Sequence, residues 1–526
     1  MKVLVSDNLA DSGIEKLMSV PELEVEVNTS LTHDELVHVI KEYDALVIRS
    51  ATKVTADIIE AADNLKVVAR AGIGLDNVDI AAASKRGIVV MNTPEGNVIT
   101  TAEHAIAMLL AVSRNIPQAT ESLRGGKWEK KRFRGKEVYN KVLGVIGVGR
   151  IGRIVADRAK GLKMNVIAFD PYISSEVVEK LGIKAVSLDE LFAQSDYITV
   201  HTPMTQETRN IINAEAFKKM RKGVFIINCA RGGIVDEQAL YDAIQAGIVG
   251  GAALDVFIKE PPKDNPLLTL DQVIATPHLG ASTDEAQENV AIAVADQVIE
   301  YLVKGTIRNA VNAPSIDGAV LAHIRPYLSL AEKLACLITQ MTRGAIEEVS
   351  IEYIGDVTSL DTRPLTLSIL KGMLTPILGE MVNFVNAPVH VKERNIRVTE
   401  SLRTEAEDFT NLISIQVKTS EQNNLVAGTI FGKKEARMVR INDFRLEAAL
   451  EGHLVLIYNI DTPGTIGAIG TCLGRHHINI SMMDVGQVLE RGQNIIFLRT
   501  DTQVPKHVAD ELLAMENVDV VQVLEL

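Results

Sequence analysis

The sequence predicts an α/β protein centred on a Rossmann-type nucleotide-binding sheet, and three observations predict it. A short apolar run, Val142 to Ile146, reads as a buried strand and opens directly into Gly147-x-Gly149-x-x-Gly152 and a stretch with helical spacing, Ile151 to Lys160. A second apolar run, Asn165 to Phe169, ends in an acid, Asp170, 18 residues beyond Gly152. On either side, apolar runs of strand length alternate with helical patterns, as in a parallel sheet with crossover helices.

Each glycine of the turn has a mechanical reason. Gly147 permits the tight turn, Gly149 lets a pyrophosphate approach the backbone, and Gly152 lets the helix pack on the strand. The phosphates would sit on the free N–H groups at the start of the helix, around Arg150 and Ile151. A carboxylate at Asp170 suits the two ribose hydroxyls and repels a 2′-phosphate, so the expected cofactor is NAD rather than NADP. The bland alternative is a glycine-rich turn with no ligand.

At 526 residues the chain exceeds what one core supports, and three or four domains are expected. A net charge of −14 argues against nucleic-acid and anionic-membrane partners. The local exception is Lys127-Trp-Glu-Lys-Lys-Arg-Phe-Arg134, either a solvated face or an anion contact. Cys229, Cys336 and Cys472 are far apart and show no metal-ligand spacing, so a reducing compartment and no metal site are expected. Met1 leads straight into a strand, leaving no room for a signal peptide, and no apolar run approaches the roughly 20 residues that span a bilayer. A cytoplasmic protein follows.

Residues 1–98 carry strand candidates at Val3–Val5, Leu23–Val27, Ala45–Ile48, Val67–Ala69 and Ile88–Met91, a flavodoxin-like parallel sheet. Two of these strands end in loops with an arginine, at Arg49-Ser50 and at Arg70-Ala-Gly-Ile-Gly74. Open α/β sheets bind ligands at the carboxyl ends of their strands, and a guanidinium fork there suits a carboxylate or phosphate. The stretch Thr100 to Arg114 is a helix too apolar for a solvated position and is expected between domains or subunits. Strands at Tyr197–Val200, Gly223–Asn228, Gly251–Asp255 and Val273–Thr276 complete the nucleotide half, 99–284. A long helix, Asp284 to Leu302, returns the chain to the first domain, which is therefore discontinuous, 1–98 with 285–313.

Beyond Pro314 the pattern changes to helices around 318–343 and 363–384 with strand-like runs between and after them, an α+β domain over 314–450 with no motif for chemistry. The last segment, 451–526, reads β-α-β-β-α-β, a ferredoxin-like module.

Transfer of a hydride from a secondary alcohol to NAD needs a base for the hydroxyl proton, a partner that orients the base, and a cation that grips the substrate. In the nucleotide half the strand-end candidates are Arg231, Glu260 and His278. One histidine of 11 is more often structural than catalytic, but His278 sits in Thr-Pro-His-Leu-Gly280, just past a strand, with Glu260 as its plausible carboxylate partner.

Gly147-x-Gly149-x-x-Gly152 with Asp170, Val200-His-Thr-Pro203, Asn228-Cys-Ala-Arg-Gly-Gly-Ile-Val-Asp-Glu237, Asp255-Val-Phe, Glu260-Pro-Pro and Pro277-His-Leu-Gly280 together resemble the D-isomer-specific 2-hydroxyacid dehydrogenases over about residues 1–313. Ile48-Arg-Ser-Ala-Thr-Lys-Val54, Arg70 to Asn77 and the long C-terminal extension point to the long-form branch, whose members oxidise 3-phospho-D-glycerate with NAD. The resemblance implies His278 as general acid/base, Glu260 as its partner and Arg231 on the substrate carboxylate and carbonyl. It implies Asp255 toward the nicotinamide end, Thr202, Ala230 and Gly280 lining the cofactor, and Arg49 and Arg70 on the substrate's anionic groups, with Ser50, Gly74 and Asn97 nearby.

The C-terminal module resembles an ACT domain, an amino-acid sensor that pairs with its copy. The resemblance implies L-serine as effector on Asn459, Asp461 and Asn479, an anion-binding intervening domain, and a homotetramer. Two rival readings stay open: a dehydrogenase of glyoxylate, hydroxypyruvate or 2-oxoglutarate on the same scaffold, and a non-enzymatic NAD-sensing scaffold.

Overall fold

Strands β1 (Lys2–Val5), β2 (Glu24–Val27), β3 (Ala45–Ile48), β4 (Val67–Arg70) and β5 (Val89–Asn92) pair in parallel in the order 2-1-3-4-5, the flavodoxin-like arrangement. The inner strands are covered on both faces, which explains their unbroken apolar runs: Val3 to Val5, Ala45 to Ile48 and Val67 to Ala69 are buried throughout, whereas edge strand β2 reads Glu-Val-Glu-Val and is mostly exposed. The computed structural model describes residues 1–314, 318–405, 408–432, 434–488 and 492–526.

The second sheet is also fully parallel. It comprises β6 (Val142–Ile146), β7 (Asn165–Phe169), β8 (Lys184–Ala185), β9 (Tyr197–Val200), β10 (Val224–Asn228), β11 (Val249–Leu254) and β12 (Val273–Ala275), in the order 12-11-10-9-6-7-8. The order reverses between β6 and β9, the crevice where a Rossmann sheet binds its dinucleotide. The predicted helix at 100–114 starts two residues earlier, Val98–Arg114, and packs on the helix Arg150–Gly161 and on β11. The 21-residue helix Asp284–Lys304 packs on Asp11–Met18 of the first sheet's layer, its Val290, Ala291 and Val294 sharing the core with Val3 and Val5.

A mixed sheet follows: β13 (Ile346–Gly355), β14 (Arg397–Arg403), β15 (Asn411–Thr419), β16 (Asn423–Phe431), β17 (Glu435–Ile441) and β18 (Phe444–Ala448), ordered 14-13-15-16-17-18. The helices Gly318–Met341 and Arg363–Leu378 pack together against it. The last four strands, β19 (His453–Ile460), β20 (Ile480–Val488), β21 (Gln493–Thr500) and β22 (Val518–Glu525), form an antiparallel sheet in the order 20-21-19-22, with helices Thr465–Arg475 and Lys506–Leu513 over one face. Its other face is not free. Leu454, Leu456, Phe497 and Leu524 join Val349, Ile351 and Ile415 in one hydrophobic core, and Gln340 Nε2 donates to the Glu525 carbonyl at 2.7 Å. The mixed unit in turn grips the first sheet's layer through Asn383 Nδ2, which donates to the Gly87 carbonyl at 2.8 Å, and the Lys85–Glu393 ion pair at 3.0 Å.

Candidate active site

The carboxyl ends of the two parallel sheets face each other across a cavity of about 930 Å³. On the nucleotide side the turn is as the spacing predicts. Gly147 has φ +91°, and a Cβ on Gly152 would lie 2.0 Å from the Gly147 carbonyl oxygen, so both positions exclude a side chain. A Cβ on Gly149 would meet nothing within 4 Å, leaving open space above the start of the helix, where a pyrophosphate would lie on the free amides of Arg150 and Ile151. The Asp170 carboxylate is fixed at the next strand end by N–H donation from Val148 (2.8 Å) and Tyr172 (2.9 Å). Thr202 and Ala230 line the cavity, and the Thr202 hydroxyl is buried with no protein partner. These features fit a dinucleotide: an open phosphate cradle, an oriented carboxylate and an unsatisfied hydroxyl.

Asp255 organises the loop beyond β12. It is 1 % exposed and accepts hydrogen bonds from Thr276 Oγ1 (2.6 Å), the Leu279 amide (2.7 Å) and the Gly280 amide (2.8 Å), with His104 Nε2 at 3.2 Å. Burial alone would raise its pKa, but the bonds from His104, Thr276 and Leu279 outweigh burial and hold it below the ordinary carboxylate value. The loop it clamps carries His278, whose backbone takes a positive φ of 55° and whose amide donates to the Asp255 carbonyl at 3.0 Å. His278 Nδ1 lies 2.7 Å from Glu260 Oε2, and the other carboxylate oxygen accepts from the Phe257 amide at 3.1 Å. The pair keeps one face open to the cavity.

Opposite stand the arginines. Arg231 donates through Nε to Asp76 at 3.0 Å and through Nη1 to the Ala230 carbonyl at 2.7 Å, leaving Nη2 toward Gly74. A Cβ on Gly74 would fall 2.0 Å from Arg231 Nη2 and 2.9 Å from Arg70 Nη1, so the glycine makes room for two guanidinium groups. Arg70 Nη1 is buried with no partner, while its Nε donates to the Arg49 carbonyl at 3.1 Å. Burial, then the positive charge of Arg231, lowers the Arg70 pKa to about 10. Asp76 and Asp7 offset part of the cost of burying this cation, but its Nη1 keeps an unmet hydrogen-bond donor on the wall of the cavity. Arg49 and Ser50 share the cavity wall. Their loop is tied by Asp7, which accepts from the amides of Arg49 (2.6 Å) and Thr52 (3.1 Å). Asn97 lines the same wall, 8 % exposed and with its Oδ1 unsatisfied.

The sequence reading assigned no role to Asp76, Asp7 and His104, which act through other residues; Asp7 and His104 carry no motif, and Asp76 lies within the stretch from Arg70 to Asn77. His201 retains an accessible edge, yet its ring is enclosed by protein; burial lowers its pKa to about 4, and its Nε2 meets Thr199 Oγ1 at 2.9 Å. Cys229 lies in the cavity floor, its thiol pushed well up by burial and by Asp255. In the basic run, Trp128 is 82 % exposed and Arg132 pairs with Asp271 at 2.9 Å; neither lines the cavity. In the C-terminal module, Asn459 is buried with its Oδ1 unsatisfied, directly across from Asn494, and the Asp461 amide donates to the Gly492 carbonyl. Asn479 is not with them. It precedes β20 at the opposite end of the sheet, beside Asp501, so one copy of the chain does not bring the three effector candidates together.

Comparison with known proteins matches three family models in sequence order: D-isomer specific 2-hydroxyacid dehydrogenase, NAD binding domain, at residues 106–280; D-3-phosphoglycerate dehydrogenase intervening domain at 323–442; and ACT domain at 453–517. Similar full-length proteins include the D-3-phosphoglycerate dehydrogenases of Methanocaldococcus jannaschii, 44 % identical with all of both chains covered, and of Bacillus subtilis, 40 % identical over 100 % of this chain and 99 % of that one. Among solved structures, a D-lactate dehydrogenase from Aquifex aeolicus complexed with NAD and lactic acid aligns with TM-score 0.53 and 29 % identity, covering 60 % of this chain and all of its own. A glyoxylate reductase from Paecilomyes thermophila aligns with TM-score 0.55 and 29 % identity, over 59 % and 98 %.

Proposed function

The chain belongs to the D-isomer specific 2-hydroxyacid dehydrogenases, among its D-3-phosphoglycerate dehydrogenases, and from that premise we propose how its own residues carry the reaction. It is an NAD-dependent oxidoreductase that converts 3-phospho-D-glycerate to 3-phosphooxypyruvate, the first step of L-serine biosynthesis. When bound, NAD supplies the hydride acceptor. His278 takes the proton of the substrate's 2-hydroxyl at Nε2, because Nδ1 is committed to Glu260, and the carboxylate stabilises the imidazolium that results. Arg231 holds the 2-oxo acid end through its free Nη2, and Arg70 with Arg49 holds the remaining anionic group. Asp255 keeps the His278 loop in register and stays ionised beside the nicotinamide end.

The 2.7 Å His278–Glu260 contact opening onto the arginine-lined cavity is the observation that carries this reading. Three groups for one hydroxy acid also favour the enzyme over an NAD-sensing scaffold, and the unpartnered Nη1 of Arg70, in a cavity that Arg49 and Arg231 also line, favours a doubly anionic substrate over glyoxylate. Comparing initial rates on 3-phospho-D-glycerate with rates of reduction of glyoxylate and 2-oxoglutarate tests it. Higher kcat/KM for glyoxylate than for the phosphorylated pair would reject the substrate assignment.

The division into 1–98 with 285–313, 99–284, 314–450 and 451–526 belongs to the same reading, supported by the packing of Asp284–Lys304 on Asp11–Met18. We assign L-serine as feedback effector at Asn459 and Asp461 of one copy and Asn479 of a second, the pairing of C-terminal modules that the separation of these residues requires. Joined to a dimer through the nucleotide half, that pairing makes a homotetramer. No described helix is long and apolar enough to cross a membrane, and the three cysteines are free, in keeping with a reducing cytoplasm.

A further inference from the structure

The two helices that cover the C-terminal sheet bring together a set of side chains that neither the reaction nor the effector site uses. Cys472 and His476 lie four residues apart along Thr465–Arg475 and its cap, and His507 and Glu511 lie four apart on the facing helix Lys506–Leu513. That spacing puts each pair on one helix face. One ligand atom each from Cys472, His476 and Glu511 lie within 4.8 Å of one another. His476 Nε2 sits 2.7 Å from Glu511 Oε2, and the His507 ring stands edge-on to His476 with centroids 5.4 Å apart.

We propose that Cys472, His476 and Glu511 form a site for one zinc-class divalent ion that staples these two helices, with His507 beside His476 as a candidate fourth ligand. The thiolate–imidazole–carboxylate set is the mixture zinc takes, whereas calcium and magnesium call for oxygen alone. Bonds of about 2.0–2.3 Å in a tetrahedron place ligand atoms roughly 3.3–3.8 Å apart, so the cluster needs shifts of only about 1 Å. The main one is an opening of the His476–Glu511 contact as the ion replaces their hydrogen bond. Arg475 holds Glu511 Oε1 at 2.9 Å, which orients the carboxylate and leaves Oε2 for the ion. Its positive charge is offset by the thiolate and carboxylate together. Cys472 is 0 % exposed, and His476 and Glu511 are part-buried, so the ion enters from the side of the two polar ligands. Binding releases the thiol proton to solvent, and affinity rises with pH. The stapled end of the first helix leads in three residues to Asn479.

Cobalt(II) titration of the full-length, chelator-treated and reduced protein tests the site. The expected result is one Co²⁺ per chain with a thiolate-to-cobalt charge-transfer band, displaced by Zn²⁺, absent in Cys472→Ser, and with affinity at least about tenfold weaker in Glu511→Gln. Circular dichroism and thermal unfolding of each full-length variant report whether it is folded. Should Cys472→Ser fail to fold, the part-exposed His476→Gln and Glu511→Gln carry the test. No thiolate band in the wild-type protein, or Co²⁺ binding unchanged in the His476 and Glu511 variants, overturns the proposal.

Discussion

His278 Nδ1 and Glu260 Oε2 meet at 2.7 Å at the mouth of a cavity whose far wall carries Arg231, Arg70 and Arg49. A base fixed at one ring nitrogen presents the other, and the expected consequence is a separation of kcat from KM. Glu260→Gln should lower kcat less than His278→Asn does, with KM for 3-phospho-D-glycerate near wild type in both. Steady-state kinetics in the oxidative direction measure the split, and a change confined to KM would mean that the pair binds substrate rather than moving its proton.

Gly74 is where the two guanidinium groups converge. Gly74→Ala should displace both and raise KM for the phosphorylated substrate while leaving NAD affinity unchanged. Arg231→Lys removes the fork from the substrate carboxylate, and a lost charge-assisted hydrogen bond of about 1.5–3 kcal/mol predicts a kcat/KM about 10- to 100-fold lower. A Gly74→Ala enzyme with wild-type KM would place the substrate elsewhere.

The nucleotide turn predicts a contrast between neighbouring glycines. Gly149→Ala adds a methyl in open space, so thermal stability should hold while the Kd for NAD rises in calorimetric titration. Gly152→Ala drives a methyl to 2.0 Å from the Gly147 carbonyl oxygen, so it should lower the melting temperature even without NAD. Equal stability of the two variants would contradict the turn geometry.

Burial of His201 has a pH signature. Its folded-state pKa, lowered to about 4, lies below the unfolded value of about 6.5, so the unfolded chain binds the proton first. The stability this group contributes is present above about pH 6.5 and is lost as pH falls toward about 4. The melting temperature of His201→Gln should therefore fall less steeply than wild type across that window. Parallel curves would show the imidazole to be solvated.

L-serine at millimolar concentration should suppress NADH formation, and Asn459→Ala should relieve the suppression without changing uninhibited turnover. Inhibition that survives in Asn459→Ala would remove the effector site from that end of the sheet.

Much of this was readable in the residues because the chemistry is local in sequence. The strand–glycine turn–helix around Gly147 declares itself within a dozen positions, and Arg49, Arg70, Arg231 and His278 each stand just past an apolar run. Parallel strands buried on both faces advertise themselves as unbroken apolar runs, whereas β14 escaped notice because as an edge strand it reads Arg-Val-Thr-Glu-Ser-Leu-Arg, mostly exposed. Residues that act through others were silent. Asp76 reaches Arg231 across 155 positions, and His104 meets Asp255 from a helix whose apolar face dominated its reading. Cys472 looked isolated for the same reason, since Glu511 arrives from the second of two helices that only the sheet brings side by side. Asn479 was grouped with Asn459 by resemblance, and only the register of β20 on β21 separates them.

The central claim, that His278 moves the proton in a reaction on 3-phospho-D-glycerate, is tested most directly by initial NADH formation from that substrate and NAD, wild type beside His278→Asn. The account predicts turnover in the wild type and a loss of about 10²- to 10⁴-fold in the variant, with NAD binding retained. Turnover in the variant near that of the wild type, or none in either, would contradict it.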